Sequence, residues 1–163
     1  GKGVIFNPHD NTGTDPYGSD SNHLDDYEKG SFQPAITSVN NPQPTQTAYV
    51  HQYGYYVKIG RLVHVRADVL FNSSGVSGGT GLALLSNLPF INQNLTRAYG
   101  MTMAVGYSPN WYNNGCPVGG YMEQNQYYCY LMPYNTNGET FTQAADVGGN
   151  TRLVVGLTYM TYQ

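Results

Sequence analysis

The run Arg61-Leu62-Val63-His64-Val65-Arg66-Ala67-Asp68-Val69-Leu70-Phe71 constrains the fold more than any other stretch of the chain. Val63, Val65, Ala67, Val69 and Phe71 occupy alternate positions, with Leu62, His64, Arg66, Asp68 and Leu70 between them. A period of two places one set on each face of a β-strand. The first set reads as core. The second carries charge yet is bracketed by leucines, so it meets either water or a neighbouring subunit. Such a strand belongs to a sheet with one face covered by a second layer.

The rest of the chain supplies further strands. Residues 48–59 precede the run across Gly60 and read as its neighbour. Residues 31–39 read as one long strand, with Pro34 suiting an edge position. Residues 82–88 are apolar and end at Pro89. On 99–107, Tyr99, Met101, Met103, Val105 and Tyr107 share one side. Gly100, Thr102, Ala104 and Gly106 share the other, where small side chains allow close approach. Residues 121–132 are a tyrosine-rich strand or strand pair, and 141–147 a weaker strand. Residues 151–162 close the chain, with Leu153, Val155, Leu157 and Tyr159 opposite Arg152, Val154, Gly156, Thr158 and Met160. Gly-, Asn- and Pro-rich loops separate these segments. No segment keeps a helical period over three turns, and no fixed-period repeat signals a propeller or solenoid. The expected fold is all-β, an antiparallel β-sandwich of jelly-roll type.

Composition agrees. The chain has 16 tyrosines, 20 glycines and 9 prolines, with few lysines and glutamates to build helix faces. A chain of 163 residues makes one domain that buries roughly 70% of its unfolded surface. Charged residues are 10% of the chain and the net charge is −3. That is no footprint for nucleic acid or for an anionic membrane surface. No apolar run reaches membrane-span length, so no membrane insertion is expected, and no signal peptide is visible. The chain opens at Gly1 without a methionine, as a piece of a longer protein would. Residues 1–23, with a short apolar strand at 3–6 and a polar loop from 7 onward, read as a leader or linker. Residues 24–163 read as the sandwich domain.

Most candidate chemistry resolves into bland readings. Asp15, Asp20, Asp25 and Asp26 could hold calcium, but no stretch has the alternating oxygen ligands of a calcium loop, and a solvated linker fits better. No metal or other cofactor is expected. A glycosidase needs two carboxylates across a cleft. Outside the leader these are Asp68, Glu123, Glu139 and Asp146, and no motif joins any two. His9, His23, His51 and His64 lack metal-ligand spacing, and no nucleophile elbow or phosphate loop is present. No catalytic residue is assigned, and the chain is read as a non-enzyme. Cys116 and Cys129 would face each other only from two strands of one hairpin. A bacterial cytosol would keep them reduced, and two separate small buried residues is the plainer reading.

The aromatic loop is the best site candidate. Tyr107, Trp111 and Tyr112 stand among Asn110, Asn113 and Asn114. Rings stack on the C–H faces of sugars, while amides and hydroxyls read their hydroxyl groups. The expected glycan-binding residues are Trp111, Tyr112, Tyr107, Asn113 and Asn114. Trp111 could equally be a core plug under the loop. Tyr127, Tyr128, Tyr130 and Tyr134 form a second aromatic group that cannot all share one surface.

Two stretches carry a family resemblance. Leu24-Asp25-Asp26-Tyr27-Glu28-Lys29-Gly30-Ser31-Phe32-Gln33-Pro34 is followed by Tyr56-Val57-Lys58-Ile59-Gly60-Arg61-Leu62-Val63. Together they resemble the opening of the C-terminal, distal tip domain of bacteriophage tail fibres and tailspikes. Gly1 to Phe6, Leu88-Pro89-Phe90, Gly106-Tyr107 with Trp111, and Gly156 to Thr161 are similar to later segments of that domain. Phe32 and Ser31 depart from the tryptophan and threonine common there, and 108–138 has no strong counterpart. The resemblance implies a β-sandwich in a homotrimer, in the virion, that attaches to host cell-surface carbohydrate. It implies assembly in the host cytoplasm and attachment to the rest of the fibre. The alternative it leaves open is a structural trimerisation module, with binding or glycan cleavage done elsewhere. Asp25, Asp26 and Glu28 are then expected to cap the opening strand or to pair with a base of a neighbouring subunit.

Overall fold

The computed structural model describes residues 4–5, 23–24, 27–40, 49–73, 79–93, 101–113, 115–134 and 141–162. It is an antiparallel β-sandwich, as the alternation predicts. In chain order the strands are β1 Val4–Ile5, β2 His23–Leu24, β3 Tyr27–Phe32, β4 Ala35–Ser38, β5 Tyr49–Ile59 and β6 Leu62–Phe71. Then come β7 Ala83–Ser86, β8 Met101–Tyr107, β9 Pro117–Tyr121, β10 Cys129–Pro133 and β11 Arg152–Met160. One sheet has five strands in the order β3-β5-β6-β11-β8, the other four in the order β4-β7-β10-β9, and β1 pairs with β2.

The β5–β6 hairpin sets the centre of the larger sheet. Its register runs from Ile59↔Leu62 outward. Gly60 takes φ 55° at the first of the two turn positions, the left-handed value that tight hairpins put on glycine. Val63, Val65, Ala67, Val69 and Phe71 are buried on the inner face, beside Leu153, Val155, Leu157 and Tyr159 of β11. They pack against Ile36 of β4, Ala83 and Leu85 of β7, and Cys129 and Leu131 of β10. Each buried valine, leucine, isoleucine or phenylalanine among them contributes about 1.5–3 kcal/mol by leaving water.

Three segments differ from expectation, each for a local reason. Residues 31–39 are two strands in different sheets. The chain crosses between the sheets at Gln33 and Pro34, where Pro34 has no N–H for a ladder. Its carbonyl accepts from Gln52 Nε2 at 3.1 Å. Residues 141–147 are a 3-10 turn at Ala144–Asp146 rather than a strand. The Asp146 carboxylate accepts the Gln143 N–H at 3.0 Å, and such a side-chain bond competes with a strand ladder. The tyrosine-rich region is a strand pair, with Tyr130 opposite Tyr121. This register puts Cys129 beyond one end of β9 and Cys116 just before the other, roughly 20 Å apart at strand spacing. Both thiols are free. Most of the leader, with its aspartates and His9, lies outside the described residues.

The opening motif holds an ion pair with one buried partner. Glu28 and Lys58 are register partners, and the Lys58 ammonium donates to the Glu28 carboxylate at 2.9 Å. Lys58 is 1% exposed and its Nζ lies 5.6 Å from the Phe90 ring centre. Glu28 thus pairs within its own chain, and Asp25 and Asp26 lie outside the described residues.

Candidate functional site

Residues 108–116 connect the edge strands of the two sheets, β8 and β9, and those described are tied down at several points. The Arg152 N–H donates to Pro109 O at 3.2 Å and the Tyr112 N–H to Asp146 O at 2.8 Å. Thr151 Oγ1 donates to Asn110 O at 2.8 Å, and Asn110 Nδ2 to Asn150 O at 3.0 Å. Asn113 Nδ2 donates to the Asp146 carboxylate at 3.1 Å. Asn110 and Asn113 have φ of 63° and 49°, the left-handed region that asparagine tolerates better than most residues. The loop is thus preorganised, which lowers the entropic cost of binding.

This loop sorts its aromatic residues. Trp111 is 9% exposed and belongs to the core, its indole N–H donating to Arg152 O at 3.1 Å. Of the two roles open to it, the structure places it as the plug. Tyr112 is 55% exposed. It lies over Gly148, where a Cβ would come within 2.2 Å of the ring. Asn113 is exposed beside it. Asn114 lies outside the described residues.

Tyr107 reaches the surface by a register shift. Val105 pairs with Val155 but Tyr107 pairs with Val154, so Gly106 is an extra residue on β8. A β-bulge of this kind re-aims the following side chain. Met101, Met103 and Val105 share one side, as the alternation predicts, and pack against the core, while Tyr107 moves to the outer face with Val154. There the Arg152 guanidinium lies 5.7 Å from its ring centre. Arg152 donates from Nε to Asp68 Oδ1 at 3.0 Å and from Nη2 to Oδ2 at 2.7 Å. His51 Nε2 is 3.2 Å from the same carboxylate, and its ring stacks on Tyr53 at 5.3 Å.

The Arg152 hydrogen bonds hold the Asp68 carboxyl below its ordinary pKa, against the opposing effect of burial and with further help from His51. A depressed folded-state pKa means this stability is present above the unfolded carboxyl value, about 4, and is lost as pH falls through the folded value. We expect Asp68→Asn to cost about 1 kcal/mol at neutral pH, the modest effect of a partly exposed pair. The gap from native protein should close in acid. Thermal melts between pH 7 and pH 2 check this, and a gap that widens in acid contradicts it.

Between the edges of the two sheets lies a groove of about 290 Å³ lined by Val105, Gly106, Tyr107, Ser108, Pro117 and Val118. This is near the lower end of small-molecule sites, about 300 Å³. Its end is pinned by Ser108 Oγ, which donates to Pro117 O at 3.1 Å, and by Cys116 Sγ, which donates to Ser108 O at 3.0 Å. Tyr107 and Val118 are more than half exposed on its two walls.

The second aromatic group divides. Tyr130 is buried, stacked on Tyr121 at 4.9 Å, with Tyr128 edge-on at 5.6 Å. Tyr127 and Tyr134 are exposed. Three of the four candidate carboxylates are engaged. Asp68 and Asp146 are held as described, and Glu123 Oε1 accepts from the Tyr121 hydroxyl at 3.4 Å. Glu139 lies outside the described residues. Among the described residues, no three His, Cys, Asp or Glu side chains group as a metal site would need.

Sequence reading missed the Asp68–Arg152–His51 cluster, because its members are brought together only by strand order. The one available signal was an acid on the otherwise cationic face of the alternating strand.

No family model matches the chain, and no curated protein does. Among solved structures, the Dettilon tailspike protein matches it with a TM-score of 0.57 at 12% identity, over 82% of this chain and 23% of that one. The sandwich is a fold shared with a tailspike. At this identity the likeness is one of fold, and the chain spans less than a quarter of the tailspike's length.

Proposed function

We propose that this domain is the receptor-binding, non-catalytic part of a phage tail fibre or tailspike, at its distal tip. It acts as a homotrimer in the virion, assembled in the host cytoplasm, and attaches the particle to host cell-surface carbohydrate. The observation that carries this reading is the tailspike fold over 82% of the chain. The opening and strand motifs point the same way. The site is the bulged β8 edge with its locked loop, where Tyr107, Tyr112 and Asn113 stand beside the groove and Asn114 follows in sequence. Three copies on one tip, and several fibres on one particle, raise avidity by about 10²–10⁴ over a weak single site.

Fluorescently labelled protein should bind host cells or their extracted polysaccharide. The double variant Tyr107→Ala, Tyr112→Ala should bind at least about tenfold more weakly. Its melting temperature should stay within a few degrees, because both rings are more than half exposed. Undiminished binding moves the site elsewhere. Release of reducing ends by the wild-type protein contradicts the non-catalytic assignment.

One observation favours the alternative of a structural trimerisation module. Tyr27, Ile59 and Leu62 are exposed side by side on three neighbouring strands, next to Met160. A stable trimer that binds no host cell would decide for the module.

A further inference from the structure

The outer face of the five-stranded sheet carries a cationic strip laid out by strand register. Lys29, Val57, His64, Thr158 and Thr102 stand side by side on β3, β5, β6, β11 and β8. One level along are Ser31, Tyr55, Arg66, Gly156 and Ala104, and then Tyr53, Asp68, Val154 and Tyr107. Lys29, His64 and Arg66 are exposed. Neither the Lys29 ammonium nor the Arg66 guanidinium has a hydrogen-bond or ion-pair partner among the described residues. The only carboxylate on these levels, Asp68, is already neutralised by Arg152.

The strip runs against the charge of the whole chain, which is −3, so it is no by-product of a basic composition. Around it, Tyr53 and Tyr55 are 59% and 60% exposed, and Tyr107 is 55% exposed. Beside Arg66 the floor is Gly156 and Ala104, flanked by Thr102 and Thr158. No bulky side chain there keeps a flat ring from the sheet. Five strands about 4.8 Å apart give a strip roughly 19 Å wide, continuous with the Tyr107 wall of the groove.

We propose that this face binds an acidic polysaccharide, with Arg66 and Lys29 taking its carboxylates and the exposed tyrosine rings taking its sugar faces. Charge complementarity selects an anion, and the combination of rings, hydroxyls and a shallow floor selects sugar over peptide. Two isolated cations are too few for a nucleic-acid backbone, whose binders neutralise many phosphates. This inference rests on the carbohydrate-binding reading above and narrows it to an anionic glycan.

The test uses the 163-residue protein with polygalacturonate, hyaluronan and polysialate, each beside its carboxyl-reduced neutral form, and with polyglutamate. At least one acidic polysaccharide should bind about tenfold or more tightly than its reduced form, and weaken as salt is raised. Arg66→Gln should lose about tenfold of that binding and Lys29→Gln less, both with native melting temperatures. Equal binding of charged and reduced forms overturns the proposal, as does binding of none of the three, or no effect of Arg66→Gln. Equal binding of polyglutamate also overturns it, because the face would then suit an acidic peptide such as the aspartate-bearing leader of a second copy. Host-cell attachment measured in parallel keeps the two readings apart. Attachment undisturbed by Arg66→Gln sinks only the anionic site. Absence of attachment by the wild-type protein sinks the receptor-binding reading itself.

Discussion

Trp111→Ala should be the most damaging single substitution in the aromatic loop, costing about 3–5 kcal/mol, as large-to-small changes of buried aromatics do. The indole is 9% exposed, packs in the core and donates to Arg152 O at 3.1 Å. Its loss opens a cavity and leaves that carbonyl without its donor. Since Arg152 also forks onto Asp68 and lies against Tyr107, the damage should spread to the outer face. Trp111→Phe should cost less, about 1–2 kcal/mol beyond the difference in volume, for the lost N–H alone. Urea denaturation measures both. A Trp111→Ala protein that loses ligand binding while keeping its stability to within about 1 kcal/mol would show that the ring serves a ligand and not the core.

The second large effect is expected at the opening motif. Glu28→Ala removes a carboxylate 2.9 Å from an ammonium whose side chain is 1% exposed. Stranding a buried charge costs about 3–5 kcal/mol. Glu28 itself is 44% exposed, so water can partly replace it, and we expect about 2 kcal/mol. Lys58→Met keeps the apolar stem against Phe90 and removes the buried charge, so it should stay within about 1 kcal/mol of native. The order of the two variants is the informative result. If Lys58→Met is the more damaging, the ammonium contributes through bonds beyond Glu28.

The alternating run at 62–71 and the closing strand at 152–160 could be read correctly from sequence because one side of each faces a covered layer. Burial of every second residue writes a period of two directly into the chain. Lys58 was hidden for the converse reason. A lysine on a strand reads as a solvent-facing residue, and only its register with Glu28 shows that its ammonium is buried against a carboxylate at the rim. Strict alternation puts Tyr107 on the face of Met103 and Val105, because a period argument assumes an unbroken ladder, and Gly106 breaks it. The aromatic loop was recognisable as a site candidate from composition. Which ring is plug and which is display depends on contacts with 146–152, distant in sequence and joined to the loop only in space.

The bulge at Gly106 has a consequence for how such a protein survives at high local concentration. β8 and β9 are both outermost strands, and β8 has no charged residue from Met101 to Tyr107. An uncharged, regular outermost strand is a template on which another chain can add a strand. Here the ladder is broken on β8, and β9 opens on Pro117, opposite a second irregularity at Pro133. Proline offers no N–H, and a bulge twists the backbone out of register for an incoming strand. The same extra residue that turns Tyr107 outward thus guards the molecule against edge-to-edge aggregation.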